Sequence, residues 1–115
     1  MINKFILFNM LTTFGFSVPD AQVMVCIAKY ESSFKSDAIN KDLNSDGSID
    51  YGLFQINGKL WADKCNMSDR ELLTPEANIV CAKKVHRQLG FDGWVAYKKN
   101  KQTCDNYRLF KREGE

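Results

Sequence analysis

Glu31 and Asp50 are the two residues of this chain whose types and settings could do chemistry together. Glu31 stands among Ala28, Tyr30 and Phe34, whereas Asp50 stands among hydrogen-bonding neighbours. An apolar surround raises a carboxyl pKa, and a polar one keeps a carboxylate ionised. Cleaving a glycosidic bond needs that division. One carboxylic acid protonates the leaving oxygen, and an ionised partner supports the oxocarbenium-like transition state. As a bare pair they carry little weight, because most Glu and Asp residues are solvated surface charges. Other schemes have less support. His86 is the single histidine, in a Lys/Arg-rich stretch with no nucleophile marked for it. There is no phosphate-cradling glycine loop. Asp42, Asn44, Asp46, Gly47 and Ile49 follow the opening of an EF-hand calcium loop, but Leu53 stands where a bidentate Glu is required. No metal and no cofactor are expected.

The words around the carboxylates are more specific. Residues 26–34 read CIAKYESSF and residues 46–57 read DGSIDYGLFQIN; Trp61 follows, then Leu72 and Leu73, NIVCAKK at 78–84 and WVAY at 94–97. In this order, over about residues 15 to 104, they resemble the active-site core of C-type lysozymes. The resemblance implies a lysozyme-like α+β fold, a helical domain with a small antiparallel β insertion and a cleft between them. It implies a glycosidase cutting the β-1,4 bond between N-acetylmuramic acid and N-acetylglucosamine in bacterial peptidoglycan, with chitin oligosaccharides as related substrates. Glu31 matches the general acid and Asp50 the nucleophile or stabiliser, in a family that is the type case for this pairing. Asn44, Gln55, Asn57, Trp61, Trp94 and Val95 match substrate-binding positions, with Trp94 also walling the acid's pocket.

Two related readings remain. ESSF, DYGLFQIN and LLTPEANI are also similar to motifs of bacterial lytic transglycosylases, where one Glu serves as acid and base. The cysteine pattern, AKK and WVAY favour the C-type reading. A non-catalytic, α-lactalbumin-like glycan-binding protein is disfavoured because both carboxylates are kept. Residues 74–78 also lack the aspartates such a calcium site requires.

Cys26, Cys65, Cys81 and Cys104 are widely spaced and form no CxxC pair, which points to two disulfides in an oxidising compartment and to a secreted protein. Spacing alone leaves three connectivities. The resemblance implies Cys26–Cys104 and Cys65–Cys81, the former less securely because Trp94 and Cys104 stand further apart than is usual in the family. Two family bridges are missing: Phe5 stands about where an N-terminal cysteine would be, and Ala62 replaces another. Leu60 stands where many members carry a second aromatic.

The elements that must position these residues are legible in outline. At 115 residues, 44% hydrophobic and 26% charged, the chain reads as one globular domain (1–115) with one core, and its composition does not indicate disorder. A net charge of +2 suits a polyanionic wall but is too small to indicate nucleic acid. No stretch could span a membrane, and a monomer is expected. Ile6, Leu7, Met10, Leu11 and Phe14 fall at helical spacing, ending near Gly15. That segment reads as either a short signal peptide or a retained first helix. Ser17 and Pro19 open a second helix running to about Phe34. Residues 36–75 form the β subdomain, with strand alternation over 48–56 and a turn at Asp46-Gly47. Thr74 caps a helix that begins at Pro75 and stops at Gly90. Trp94–Tyr97 and Tyr107–Phe110 are shorter helical candidates.

Overall fold

Asn3 opens the first helix: its Oδ1 accepts from the N–H groups of Phe5 and Ile6 at 2.8 and 3.4 Å. The computed structural model describes residues 1–42 and 44–110, so the last five residues of the expected domain lie outside the described residues. Helix α1 (Lys4–Thr13) buries Leu7, Phe8 and Leu11. It closes in a Schellman motif, with Gly15 at φ 104° while the N–H groups of Phe16 and Gly15 return to the Leu11 and Thr12 carbonyls. Helix α1 packs on α2 (Val18–Ser32), so the N-terminal segment is built into the core as a helix.

Ser17 caps α2 through a bond from the Asp20 N–H at 3.2 Å, with Pro19 in the first turn. Its buried residues include Met24, Val25, Cys26, Ile27 and Ala28, a face wide enough to be the central element of the core. Beyond Ser32, Ser33 and Phe34 both take positive φ (52° and 64°) and turn the chain out of the helix.

The sheet is smaller than the sequence pattern suggests. Strands β1 (Ile39–Asn40), β2 (Asp50–Tyr51) and β3 (Ile56–Asn57) form an antiparallel sheet in that order. The apparent alternation over 48–56 is broken by a turn in which the Gln55 N–H bonds the Gly52 carbonyl at 3.0 Å. Leu53 and Phe54 are both buried there, against the two-face alternation of a strand. Gly52 has φ 78°, and a Cβ on it would lie 2.3 Å from both Asn78 Nδ2 and the Leu72 carbonyl. No side chain fits.

A short helix α3 (Gly58–Trp61) leads to a 3₁₀ turn at Glu71–Leu73 and then α4 (Pro75–Leu89). Thr74 occupies the cap position of α4, but its hydroxyl donates to the Glu71 carbonyl at 2.8 Å and makes no cap bond. A second 3₁₀ turn (Gly90–Gly93) precedes α5 (Val95–Lys99) and α6 (Lys101–Asp105). The expected helix at Tyr107–Phe110 is irregular chain instead. Its apolar side chains serve tertiary packing: Phe110 meets Phe5 and Phe8 at ring distances of 5.6 and 5.2 Å. The Leu109 N–H bonds Gln22 on α2 at 3.0 Å. Cys26–Cys104 ties α2 to α6, and Cys65–Cys81 ties the loop after α3 to α4.

Candidate active site

Glu31 lies in the last turn of α2 and Asp50 begins β2, and both line one cleft of about 690 Å³ between the helices and the sheet. Helix periodicity on one side and strand register on the other place them there. Trp94 packs edge-on to Phe54 and donates its indole N–H to the Phe54 carbonyl at 2.9 Å, so the indole that walls the cleft is fixed by the β side.

Burial dominates the state of Glu31. It pushes the carboxyl up to about 7, the negative charge of Asp50 adds to the rise, and the Ala96 N–H and Lys99 oppose it. Asp50 is also raised from its ordinary value by burial, which sequence reasoning did not foresee; the charge of Asp46 pushes the same way. Two amides hold it back. Asn44 and Asn57 each donate Nδ2 to Asp50 Oδ1, at 3.1 and 3.2 Å. The register supplies the second of these, because Asn57 on β3 faces Asp50 on β2. Asn57 also caps α3 through the Leu60 N–H at 3.1 Å and donates to Ser48 Oγ at 2.8 Å. Ser48 in turn donates to Asp46, which an ion pair with Lys59 at 3.6 Å also engages. The arrangement can offer a protonated acid and a hydrogen-bonded carboxylate to the same bound molecule.

The other expected residues sit in the cleft in different ways. Trp61 is only 8% exposed, and Lys64 lies 4.8 Å above its ring, so little of the indole is free for stacking. Gln55 lines the cleft with φ 47°, but its amide nitrogen is committed to the Ala38 and Gly52 carbonyls at 3.2 and 3.0 Å. Val95 and Leu60 are exposed at the cleft edge. His86 lies outside it, between the rings of Phe16 and Phe91, with its pKa lowered by burial.

Three contributors escaped the sequence reading. Lys99 and Asn100 line the cleft beside Ala96. Lys99 stands four residues after Val95 on α5, which was the available signal, whereas Asn100 follows that helix in non-helical geometry. Asn78 is fully buried on α4 and never touches the cleft. Its Oδ1 accepts from the Phe54 N–H at 2.8 Å, while Nδ2 donates to the Tyr51 and Leu72 carbonyls at 2.8 and 2.7 Å. One amide thus holds the loop that carries Gln55 and follows Asp50.

Comparison with known proteins places the chain in a family and a fold. The model of the C-type lysozyme/alpha-lactalbumin family matches residues 6–110. Lysozyme c-1 of Anopheles gambiae is 39% identical over 101 residues, 81% of this chain and 66% of that protein. Lysozyme C of Scophthalmus maximus is 41% identical over 102 residues, 79% of this chain and 68% of that one. The chain therefore spans about two thirds of the length of these curated relatives. The crystal structure of a lysozyme from Litopenaeus vannamei superposes with a TM-score of 0.77 at 32% identity, covering 95% of this chain and 91% of that one. Apo canine milk lysozyme gives 0.78 at 33% identity, covering 89% of each chain.

Proposed function

The chain belongs to the C-type lysozyme/alpha-lactalbumin family, and from that premise we propose that it is a secreted, monomeric peptidoglycan hydrolase with Glu31 as acid and Asp50 as partner. Its substrate is the β-1,4 bond between N-acetylmuramic acid and N-acetylglucosamine. The observation that carries the reading is one cleft with two unequal carboxyls: burial pushes Glu31 up to about 7, while Asp50, also raised by burial, is held back by two amide donors. This is the division of labour for which lysozyme is the type case.

The steps follow from that asymmetry. Glu31 gives its proton to the glycosidic oxygen as the bond to the anomeric carbon breaks. Asp50 meets the positive charge on that carbon and captures it. Glu31, now ionised, takes a proton from the water that releases the sugar, so configuration is retained. The amide donors of Asn44 and Asn57 orient the Asp50 carboxylate for this, and Trp94 keeps water from Glu31. Two disulfides agree with an oxidising, extracellular setting. Among the described residues, no helix is long and apolar enough to cross a membrane.

Glu31→Gln keeps the shape of the side chain and removes its proton. Lysis of bacterial walls by this variant should fall at least about a hundredfold. Mass spectrometry of wild-type digests should show reducing sugar ends. Undiminished lysis would overturn the role of Glu31, and anhydro ends would overturn hydrolysis in favour of transglycosylation.

A further inference from the structure

Helix α4 has two working faces. Val85 and Leu89 line the cleft, while Val80, Lys83, Lys84 and Arg87 line a second concavity of about 340 Å³. These four recur at three and four and so form one stripe; Val85 and Leu89 fall on the opposite side of the helix. Phe14 and residues 64–66 complete the concavity.

Its charge is one-sided. Lys83, Lys84 and Arg87 place three cations around it, no acidic residue lines it, and Lys64 lines it with its stem while its ammonium lies over the Trp61 ring. The whole chain carries only +2, so this is a local concentration and not a generally basic surface. Among the described residues the ion pairs are Lys59–Asp46 and Lys101–Asp105, which leave Lys83, Lys84 and Arg87 out.

The cations are also held in place. Lys83 Nζ donates to the Gly15 carbonyl at 2.7 Å, and Lys84 Nζ to the Lys64 carbonyl at 2.6 Å. An ammonium has three donors, so each keeps donors for another acceptor. The Cys65–Cys81 bridge fastens the loop bearing Lys64 to α4. Two lysines anchored at known points lose little freedom on binding, and an exposed Arg87 beside them adds a planar fork suited to phosphate oxygens.

We propose that this concavity is an anion site that takes a phosphate group, as carried along a polyphosphate-type polymer. Because it lies across α4 from the cleft, an anion held there leaves the cleft open. The site stands on its own geometry, whether or not the cleft cleaves glycans.

The test is an NMR titration of the full ¹⁵N-labelled chain with inorganic phosphate and, separately, with linear polyphosphate. Saturable shifts should map to the amides of Lys64, Cys65, Asn66, Lys83, Lys84 and Arg87, and should weaken as salt rises. Response to inorganic phosphate means the pocket accepts a lone oxyanion; response to polyphosphate alone means it needs the polymer. Arg87→Gln, at an exposed position, should weaken binding about tenfold, whereas Lys98→Gln should not. Silence toward both probes, shifts that spread over Lys98, Lys99 and Lys101, or an Arg87→Gln variant that binds like wild type would overturn the proposal. So would loss of cleft activity on a soluble chitin oligosaccharide when polyphosphate is bound. Failure here leaves the Glu31→Gln experiment untouched, and the reverse holds as well.

Discussion

A carboxyl pushed up to about 7 by burial carries a stability cost and, in the proposed role of Glu31, a working range. Activity should fall as pH rises through about 7, because the acid is then ionised, and on the acid side as Asp50 becomes protonated. The stability consequence has a definite sign. Glu31 binds its proton more tightly folded than unfolded, so stability declines as pH climbs from about 4.5 to about 7. The shift corresponds to about 3 kcal/mol once Glu31 is fully ionised. Glu31→Gln removes that penalty. Thermal melts should show it more stable than wild type at pH 8 and little different at pH 4; equal melting points at pH 8 would mean Glu31 is not desolvated. At this scale the meeting of the two carboxylates in one cleft was legible through the words around them. The raised pKa of Asp50 was not, since desolvation depends on what packs over a residue and not on its sequence neighbours. Nor was the use of the Gln55 amide on two backbone carbonyls, which only the turn at Gly52 creates.

Among the elements, helices were readable where caps and period agreed. Ser17 and Pro19 open α2 as expected, and Gly15 and Gly90 end α1 and α4. The sheet was overread because each strand is two residues long and the intervening loop is held by a side chain on a distant helix. That side chain, Asn78, makes the sharpest prediction at this scale. Asn78→Ala would strand the Phe54 N–H and the Tyr51 and Leu72 carbonyls in a dry site, at a cost of at least about 2 kcal/mol. Denaturant unfolding measures that loss, and activity should drop with it because the loop after Asp50 loses its anchor. The C-terminal misplacement has a related cause. Tyr107, Leu109 and Phe110 are apolar at close spacing because they pack against α1 and α2, whereas α6 is mostly polar and is fixed by Cys104 and the Lys101–Asp105 pair at 2.8 Å. Phe5, which stands about where the resemblance would put a cysteine, packs its ring against Phe110 at a tilt.

For the molecule as a whole, two cross-links do unequal work. Cys26–Cys104 spans 78 residues of sequence and Cys65–Cys81 only 16. Chain-entropy arguments give about 4.5 kcal/mol for the first and about 3 for the second. Replacing both cysteines of the longer bridge by Ala should therefore lower the melting temperature more than replacing those of the shorter one; the reverse order would show that local packing, and not loop length, sets their value. The bond from the Trp94 indole to the Phe54 carbonyl has a different kind of consequence. It is a single proton shared between the helical side and the β side of the cleft, buried from solvent. Its exchange for deuterium records each parting of the two walls, so one indole resonance serves as a clock for the breathing of the whole molecule.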